Sequence, residues 1–529
     1  MREKMKRKEL ICICAASLLM CNCVTASSAF AAGDSFIETE LPLLYETGAL
    51  GVQTIQTAQV KKGDAKRGEP DTEWFDPEDQ QKEYEISTEQ ELMGLAELVN
   101  TKDVPWQAEG SYTFKGITIK LMRDIELTQF WTPIGTSDAR AFEGLFEGNG
   151  HTISGIEIQD PNSDNLGLFG YLKGTVNNLN LQGSIDSRNS NAGGMAAVMA
   201  ETALVENCTI DVAVTGKERV GGVAGTNHSG QIINCHSYGD IEGDVKVGGI
   251  VGENWNGTVR KCSNMGQVIS NGKGFGTYGT GGIAGRSVAV NALIEECFNQ
   301  GNILSSNECA GGIAGYVNTN GAAIRNCYNT GDVLGPESSA LSSYGYVGGI
   351  VGNIGENGVI VKNCYNVGAV KNGKYAGGIA GNFATDHYDK RDTSVRGNYY
   401  LVGSAPLAIG QVEGAKGKPG YDERVELRSV TDLKSAYMTS VLGSAFQPDI
   451  GGAHGLNNGF PVLEWQKEEL GTDYLESLET LDIPYTRQFQ KFFQKYSYGT
   501  ASGKMVLQLF NPRMYMEQVL ESMENFTKK

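Results

Sequence analysis

From Asn165 onward, apolar and polar positions alternate in short runs, and the runs end at Gly or Asn instead of continuing at helical spacing. Three runs recur in fixed order. The first is a glycine phrase, GGVAG at Gly221, GGIVG at Gly248 and Gly348, and GGIAG at Gly281, Gly311 and Gly377, with earlier forms NLGLFG at Asn165 and GGMAAV at Gly193. The second is an I-x-N-C phrase, with cysteines at 208, 235, 262, 297, 327 and 364. The third is a G-x-V phrase, such as Gly239–Ile241 or Gly331–Val333. Period-two runs bounded by turn formers predict strands. Their return every 27 to 37 residues predicts a solenoid, in which each unit buries its apolar face only against its neighbours.

The expected fold is therefore all-β: a parallel β-helix of roughly triangular section, with coils about 4.8 Å apart. A propeller is excluded, because a four-stranded blade needs about 40 residues. The glycines are expected where strand meets corner, and Asn or Gly after the cysteine at the next corner, since both tolerate left-handed backbone.

The flanks read differently. Ser87 and Thr88, followed by Gln90 and Glu91, have capping-box spacing ahead of Leu92, Leu95, Ala96 and Val99, which predicts an amphipathic helix covering the open edge of the first coil. Tyr112–Ile158 is expected to supply irregular first coils, and Asn165 to about Tyr400 the regular stack. The organisation is an export signal over 1–32, an acidic flexible leader over 33–84, a solenoid over 85–466 that ends in a strand at Phe460–Trp465, and a helical tail over 467–529. In the tail, Phe489, Phe492, Phe493 and Tyr496 suggest one helix, and Met516, Val519, Leu520, Met523 and Phe526 mark the face of another.

The export signal rests on a basic start (Arg2 to Lys8), an apolar run from Leu10 to Val24 and the small-residue site Ala29-Phe30-Ala31. A lipoprotein site at Cys21 is disfavoured by the bulky Met20 before it. No later segment has the ~18 apolar residues of a membrane-spanning helix. Net charge is −18, and −21 once residues 1–31 are removed, which argues against nucleic acid or anionic lipid as a partner. Of eleven cysteines, four leave with the signal. The six repeat cysteines share one position and are expected to form an inward column of free thiols, packing as small hydrophobes. No C-x-x-C pair follows the signal, so no metal site and no cofactor are expected.

The glycine phrases, the N-C-Y-N-x-G-x-V phrase, FEGLFEGNGHTISGI (Phe142–Ile156) and NNGFPVLEWQ (Asn457–Gln466) resemble the bacterial GLUG-motif repeats, over roughly Glu85–Gln466. That resemblance implies a secreted or surface setting, as in adhesin-like proteins and the non-catalytic part of zinc proteases that cleave immunoglobulin A. Those proteases carry H-E-x-x-H, and none of the five histidines (151, 228, 236, 387, 454) lies in such a phrase.

Candidate ligand-binding residues come from two places. Insertions at one corner, Ile269–Thr280 and Leu334–Val347, carry Phe275, Tyr278, Tyr344 and Tyr346, and per-repeat insertions on one side often form a binding face. A third insertion, Asn382–Gly397, carries His387, Tyr388, Lys390 and Arg391. One residue past the cysteine, Phe298, Tyr328, Tyr365 and Tyr400 are expected to form an outward aromatic ladder able to stack on sugar rings. The Asn series beyond it (Asn264, Asn299, Asn329, Asn366) reads as structural. His228 and Trp255 share a turn position and make a small candidate sugar patch. A hydrolase would need two carboxylates about 5 to 10 Å apart, whereas Asp240 and Asp332 are separated by two neutral coils. No catalytic residue is assigned. The expected function is an exported, adhesin-like solenoid binding an extracellular glycan or a host or neighbour-cell protein. Its rivals are a polysaccharide-degrading enzyme and a purely structural envelope stalk.

Overall fold

The computed structural model describes residues 68–468, apart from 77–80, 102–111, 160–162, 188–189, 273–277, 337–344, 357, 385–394, 413–424 and 450–454. The export signal, most of the leader and nearly all of the tail predicted for 467–529 lie outside these residues.

The repeat folds as a parallel β-solenoid. A 16-stranded sheet climbs through nine rungs, from Leu166 through Ala192, Val220, Val247, Thr280, Ala310, Val347 and Ala376 to the strand Leu407–Val412. A 25-stranded sheet carries the cysteine and G-x-V phrases, with Cys208 opposite Cys235 and each repeat Asn opposite the next. One continuous apolar core runs from Phe75 to Val425.

The corner falls before the cysteine, ahead of the Asn that the spacing suggests. The residue before each cysteine is left-handed: Asn207 (φ 54°), Asn234 (51°), Lys261 (56°), Glu296 (53°), Asn326 (54°) and Asn363 (55°). Asn is suited to this position because its short amide stabilises such backbone locally. The Asn after the cysteine does something else. Asn264, Asn299, Asn329 and Asn366 are fully buried, and successive Nδ2 groups donate to the next Oδ1 at 2.8 Å. The same amides donate to a glycine carbonyl two residues on, at 2.7 to 2.9 Å.

The second glycine of each pair lies against this ladder and is needed for space, not for left-handed backbone. A Cβ on Gly249, Gly282, Gly312 or Gly349 would stand 2.3 to 2.4 Å from the amide carbon of the corresponding Asn. The last glycine of each phrase permits a second close approach. A Cβ on Gly252 or Gly285 would lie 2.5 Å from the backbone of Arg219 or Lys246, so the strand before the glycine pair and the strand after it run backbone against backbone.

At the N-terminal end the helix Glu89–Asn100 forms as expected, with Thr88 and Glu91 making a capping box and Leu92, Leu95 and Val99 buried in the core. Residues 68–76, expected in the leader, pack against the first coil. Asp71 N donates to Gln90 O at 2.9 Å, and Phe75 packs among Tyr84, Tyr112 and Phe114 at ring distances of 4.9 to 5.3 Å. Burying those four rings over the first coil supplies the apolar area that orders an otherwise acidic segment.

The C-terminal end also departs from the sequence reading. The coils finish at the strand Val425–Arg428, and NNGFPVLEWQ is not a further coil. Residues 429–449 and 455–468 instead fold back along the outside as two short helices (Val430–Leu433 and Ala436–Leu442), an antiparallel pair (Phe446–Gln447 with Val462–Leu463) and a last turn of helix (Glu464–Glu468).

Candidate functional site

The aromatic ladder exists. Phe298 stacks on Tyr328 with centroids 4.9 Å apart and planes 4° from parallel, and Tyr328 on Tyr365 at 5.1 Å and 8°. It is not open to a ligand. All three rings are buried against Leu433, Met438, Leu442, Phe446, Leu463 and Trp465 of the folded-back segment. That segment also satisfies the phenols: Tyr328 donates to Gln466 Oε1 at 3.0 Å, and Tyr365 donates to the Pro461 carbonyl while accepting from Asn457 Nδ2 at 2.7 Å. Burial pushes both phenols well above the ordinary tyrosine range. The fourth rung is Tyr399, which pairs with Tyr365; Tyr400 pairs with Asn366, and its ring lies over Gly378. Gly397 in GNYYL (φ 67°) takes the same left-handed corner position as Asn363 (φ 55°), and Asn398 stands where the cysteine would.

The loop residues divide. Phe275 and Tyr344 lie outside the described residues, as do His387, Tyr388, Lys390 and Arg391. Tyr278 is half-buried at the end of its insertion. Tyr346 belongs to a strand, is 4% exposed, and stacks on Tyr375 at 5.5 Å.

Tyr346 is buried with Val288, Cys309 and Tyr316 in a filled wedge between the two back-to-back strands of each coil, beyond their glycine contacts. Down this wedge runs a chain of contacts that the repeat phrases do not announce. Arg219 Nε donates to Asn191 Oδ1 at 2.6 Å and Arg219 pairs with Glu218 at 2.6 Å. Lys246, 9% exposed, bridges Glu218 at 3.1 Å and Glu253 at 3.3 Å, and Arg286 reaches Glu253 at 2.6 Å. Arg286 also lies 5.9 Å over the Tyr316 ring. Tyr316 then shares a small apolar cluster with Val288, Cys309 and Tyr346. Comparing equivalent positions coil by coil (Thr226, Glu253, Arg286, Tyr316) would have found this series, although no two members share a residue type.

At the outer end of the same strands, His228 pairs in register with Trp255, and Trp255 with Val288. The His228 and Trp255 rings lie 6.4 Å apart, 9° from parallel, and the indole is 43% exposed. Both long insertions enter the solenoid through the facing strands, at Gly279 and Tyr346. Val288 joins the two sides, because it clusters with Cys309, the partner of Gly279, and with Tyr346. The sequence-level sugar patch and the loop corner thus flank one wedge.

The remaining chemistry is structural. Asp240 Oδ1 accepts the Gln267 amide at 2.8 Å, and Asp332 Oδ1 accepts the Ala369 amide at 2.9 Å, so each acid pins the next coil. All seven cysteines of the described residues are buried and unbridged. Each repeat thiol donates to the carbonyl two residues before it, at 3.0 to 3.2 Å. Burial pushes Cys208, Cys235, Cys262 and Cys327 up, away from the reactive thiolate. Among the described residues no His, Cys, Asp and Glu cluster could hold a metal ion, and no helix is long and apolar enough to cross a membrane.

Residues 306–334, one full coil, match the model for the GLUG motif. The parallel β-solenoid thus carries a GLUG motif in one of its coils. Halomucin of Haloquadratum walsbyi is 36% identical over 95 residues, covering 18% of this chain and 1% of that protein. A "Putative Gly-rich membrane protein" of Evansella cellulosilytica is 38% identical over 82 residues, 14% of this chain and 9% of that one. The chain therefore spans under a tenth of either relative. Among solved structures, a "putative immunoglobulin A1 protease" from Bacteroides ovatus aligns over 72% of this chain and 92% of its own, with 16% identity and a TM-score of 0.37. An "IgA1 Protease" aligns over 68% of this chain and 24% of its own, with 15% identity and a TM-score of 0.34.

Proposed function

We propose that the chain is an exported, adhesin-like surface protein that binds an extracellular glycan along the wedge side of the solenoid. The observation that carries this reading is the exposed, near-parallel His228–Trp255 pair on the side where both long insertions enter. An indole held partly open at a fixed corner offers an apolar face with a polar rim, which suits a sugar ring. The ionic chain behind it fixes the strands without reorganisation, so little ordering entropy is lost on binding. The ladder of Phe298, Tyr328 and Tyr365 is not part of this site, because the chain's own residues cover it. Export rests on the pattern of residues 1–32, and the acidic balance keeps the surface from nucleic acid and anionic lipid.

The test is a glycan array, with extracellular-matrix proteins as a second panel, probed with the secreted protein and with Trp255→Ala. A glycan bound by the wild type and at least about fivefold more weakly by the variant supports the site, since one lost aromatic stack is worth about 1 kcal/mol. Equal binding by a folded variant refutes it. A protein ligand with no glycan binding would replace the glycan reading.

A further inference from the structure

Read from the N-terminal side, the outward ladder runs His236, Ser263, Phe298, Tyr328, Tyr365, Tyr399. One rung has no ring. At Ser263 the side chain is small and its hydroxyl is engaged by His236 Nδ1 at 2.8 Å. Trp465, from the folded-back segment, occupies the place that Ser263 leaves. Its indole lies 5.5 Å from the His236 ring at 29° and 5.8 Å from Phe298 at 30°, and its Nε1 donates to the Glu296 carbonyl at 3.0 Å. Two coils at about 4.8 Å each leave room for one ring between His236 and Phe298. The segment supplies that ring.

The rest of the phrase Asn457–Gln466 is used in the same way. Asn457 and Pro461 engage Tyr365, Gln466 engages Tyr328, and Leu463 packs in the same cluster. The helix-forming part, with Leu433, Met438 and Leu442, joins that cluster together with Tyr399. Among the described residues the segment makes no β-ladder with the coils; its two strands pair with each other. It leaves the last coil at Arg428 and runs back to the coil of His236, so it touches every ladder coil between.

We propose that residues 429–449 and 455–468 are a keyed clasp, registered by Trp465 in the Ser263 gap, that makes the coils from His236 to Tyr399 hold or lose their packing as one unit. In a bare solenoid each coil contacts only its neighbours, so the stack frays from its end. A strap fixed at both ends of six coils changes that rule, because loosening the last coil also exposes the ladder beneath the clasp. Opening the clasp would uncover the three stacked rings of Phe298, Tyr328 and Tyr365, a surface that the closed protein hides.

The experiment uses the full chain with Ser263→Phe, Trp465→Ala and Trp465→Phe. Ser263→Phe fills the gap from the solenoid side and should expel the indole while all clasp residues remain. Three readings are expected for it and for Trp465→Ala: protease cleavage within 429–468 faster by at least tenfold, two tyrosines newly titrating near the ordinary pKa of about 10, and faster amide exchange throughout the coils from Cys235 to Tyr399. Trp465→Phe, which keeps a ring in the slot, should retain most of the protection. Unchanged cleavage and tyrosine titration in both of the first two variants would overturn the keyed insertion. Clasp release with exchange rising only in the last coil would overturn the coupling. If Ser263→Phe does not fold, Trp465→Ala and Trp465→Phe give the same two decisions.

Discussion

Replacing Asn329 by alanine tests the internal amide ladder at its centre. Asn329 is fully buried; its Nδ2 donates to Gly331 O and Asn366 Oδ1, and its Oδ1 accepts from Asn299 Nδ2, all at 2.8 Å. Truncation removes three hydrogen bonds and leaves at least two buried groups unmet: one hydrogen of Asn299 Nδ2, which keeps its bond to Gly301 O, and Asn366 Oδ1. A buried polar group stripped of its partner costs roughly 1–3 kcal/mol, so the loss should be about 2–6 kcal/mol. Urea unfolding followed by circular dichroism measures it, with Asn234→Gly as the comparison. Asn234 makes the same kind of inter-coil amide bond, at 3.0 Å, but on the surface, and glycine keeps its left-handed backbone. That variant should lose under about 1 kcal/mol, because water replaces the missing partner.

Gly312 gives an internal check on the same reasoning. A Cβ there would meet the Asn329 amide at 2.4 Å, but also the Gly349 carbonyl at 2.1 Å. Gly312→Ala should therefore be severely destabilising, and adding Asn329→Ala should not rescue it, since the backbone clash remains. An Asn329→Ala loss below about 1 kcal/mol, or a rescued double variant, would refute the claim that the glycine pair and the Asn ladder together set the coil spacing.

The repeat thiols should resist labelling in the native protein and react fully in denaturant; rapid native labelling of all six would sink the inward column. Because burial holds the folded-state pKa of Cys208, Cys235, Cys262 and Cys327 above the unfolded value of about 8.5, their contribution is complete below that pH. It is lost as pH rises, so the urea midpoint should fall between about pH 8.5 and 10, and replacing these cysteines by alanine should flatten that slope. Thr88→Ala removes the cap from the helix at the N-terminal pole and should cost about 1 kcal/mol by the same unfolding assay. A change within error would mean that the helix end is held by its packing alone.

The fold was legible in the sequence because a solenoid writes its geometry into the chain many times over. A glycine pair and a cysteine return coil after coil, joined by an asparagine from Asn264 to Asn366, because the same small gap, inward position and amide ladder must be filled each time. The period says nothing about which neighbouring residue carries the strain. Asn before and Asn after the cysteine look alike, and only the backbone separates the left-handed corner at Asn326 from the buried ladder at Asn329.

The candidate site was less legible, for two physical reasons. Outward is not the same as exposed: Phe298, Tyr328 and Tyr365 do leave the solenoid wall, but nothing local to the repeat announces that a segment about a hundred residues later lies on them. In the wedge, by contrast, each coil uses a different residue at the same position, passing from Thr226 through Glu253 and Arg286 to Tyr316, so the series is invisible to any search for a shared phrase. The two cases have a common cause. Stacking equivalent positions fixes what faces the next coil, whereas the surface beyond is settled by whatever non-repeating chain is available to cover it. The ladder was covered, and the corner bearing Trp255 retains its exposed indole. A binding function is therefore better sought where the repeat is broken by insertions than where it is most regular.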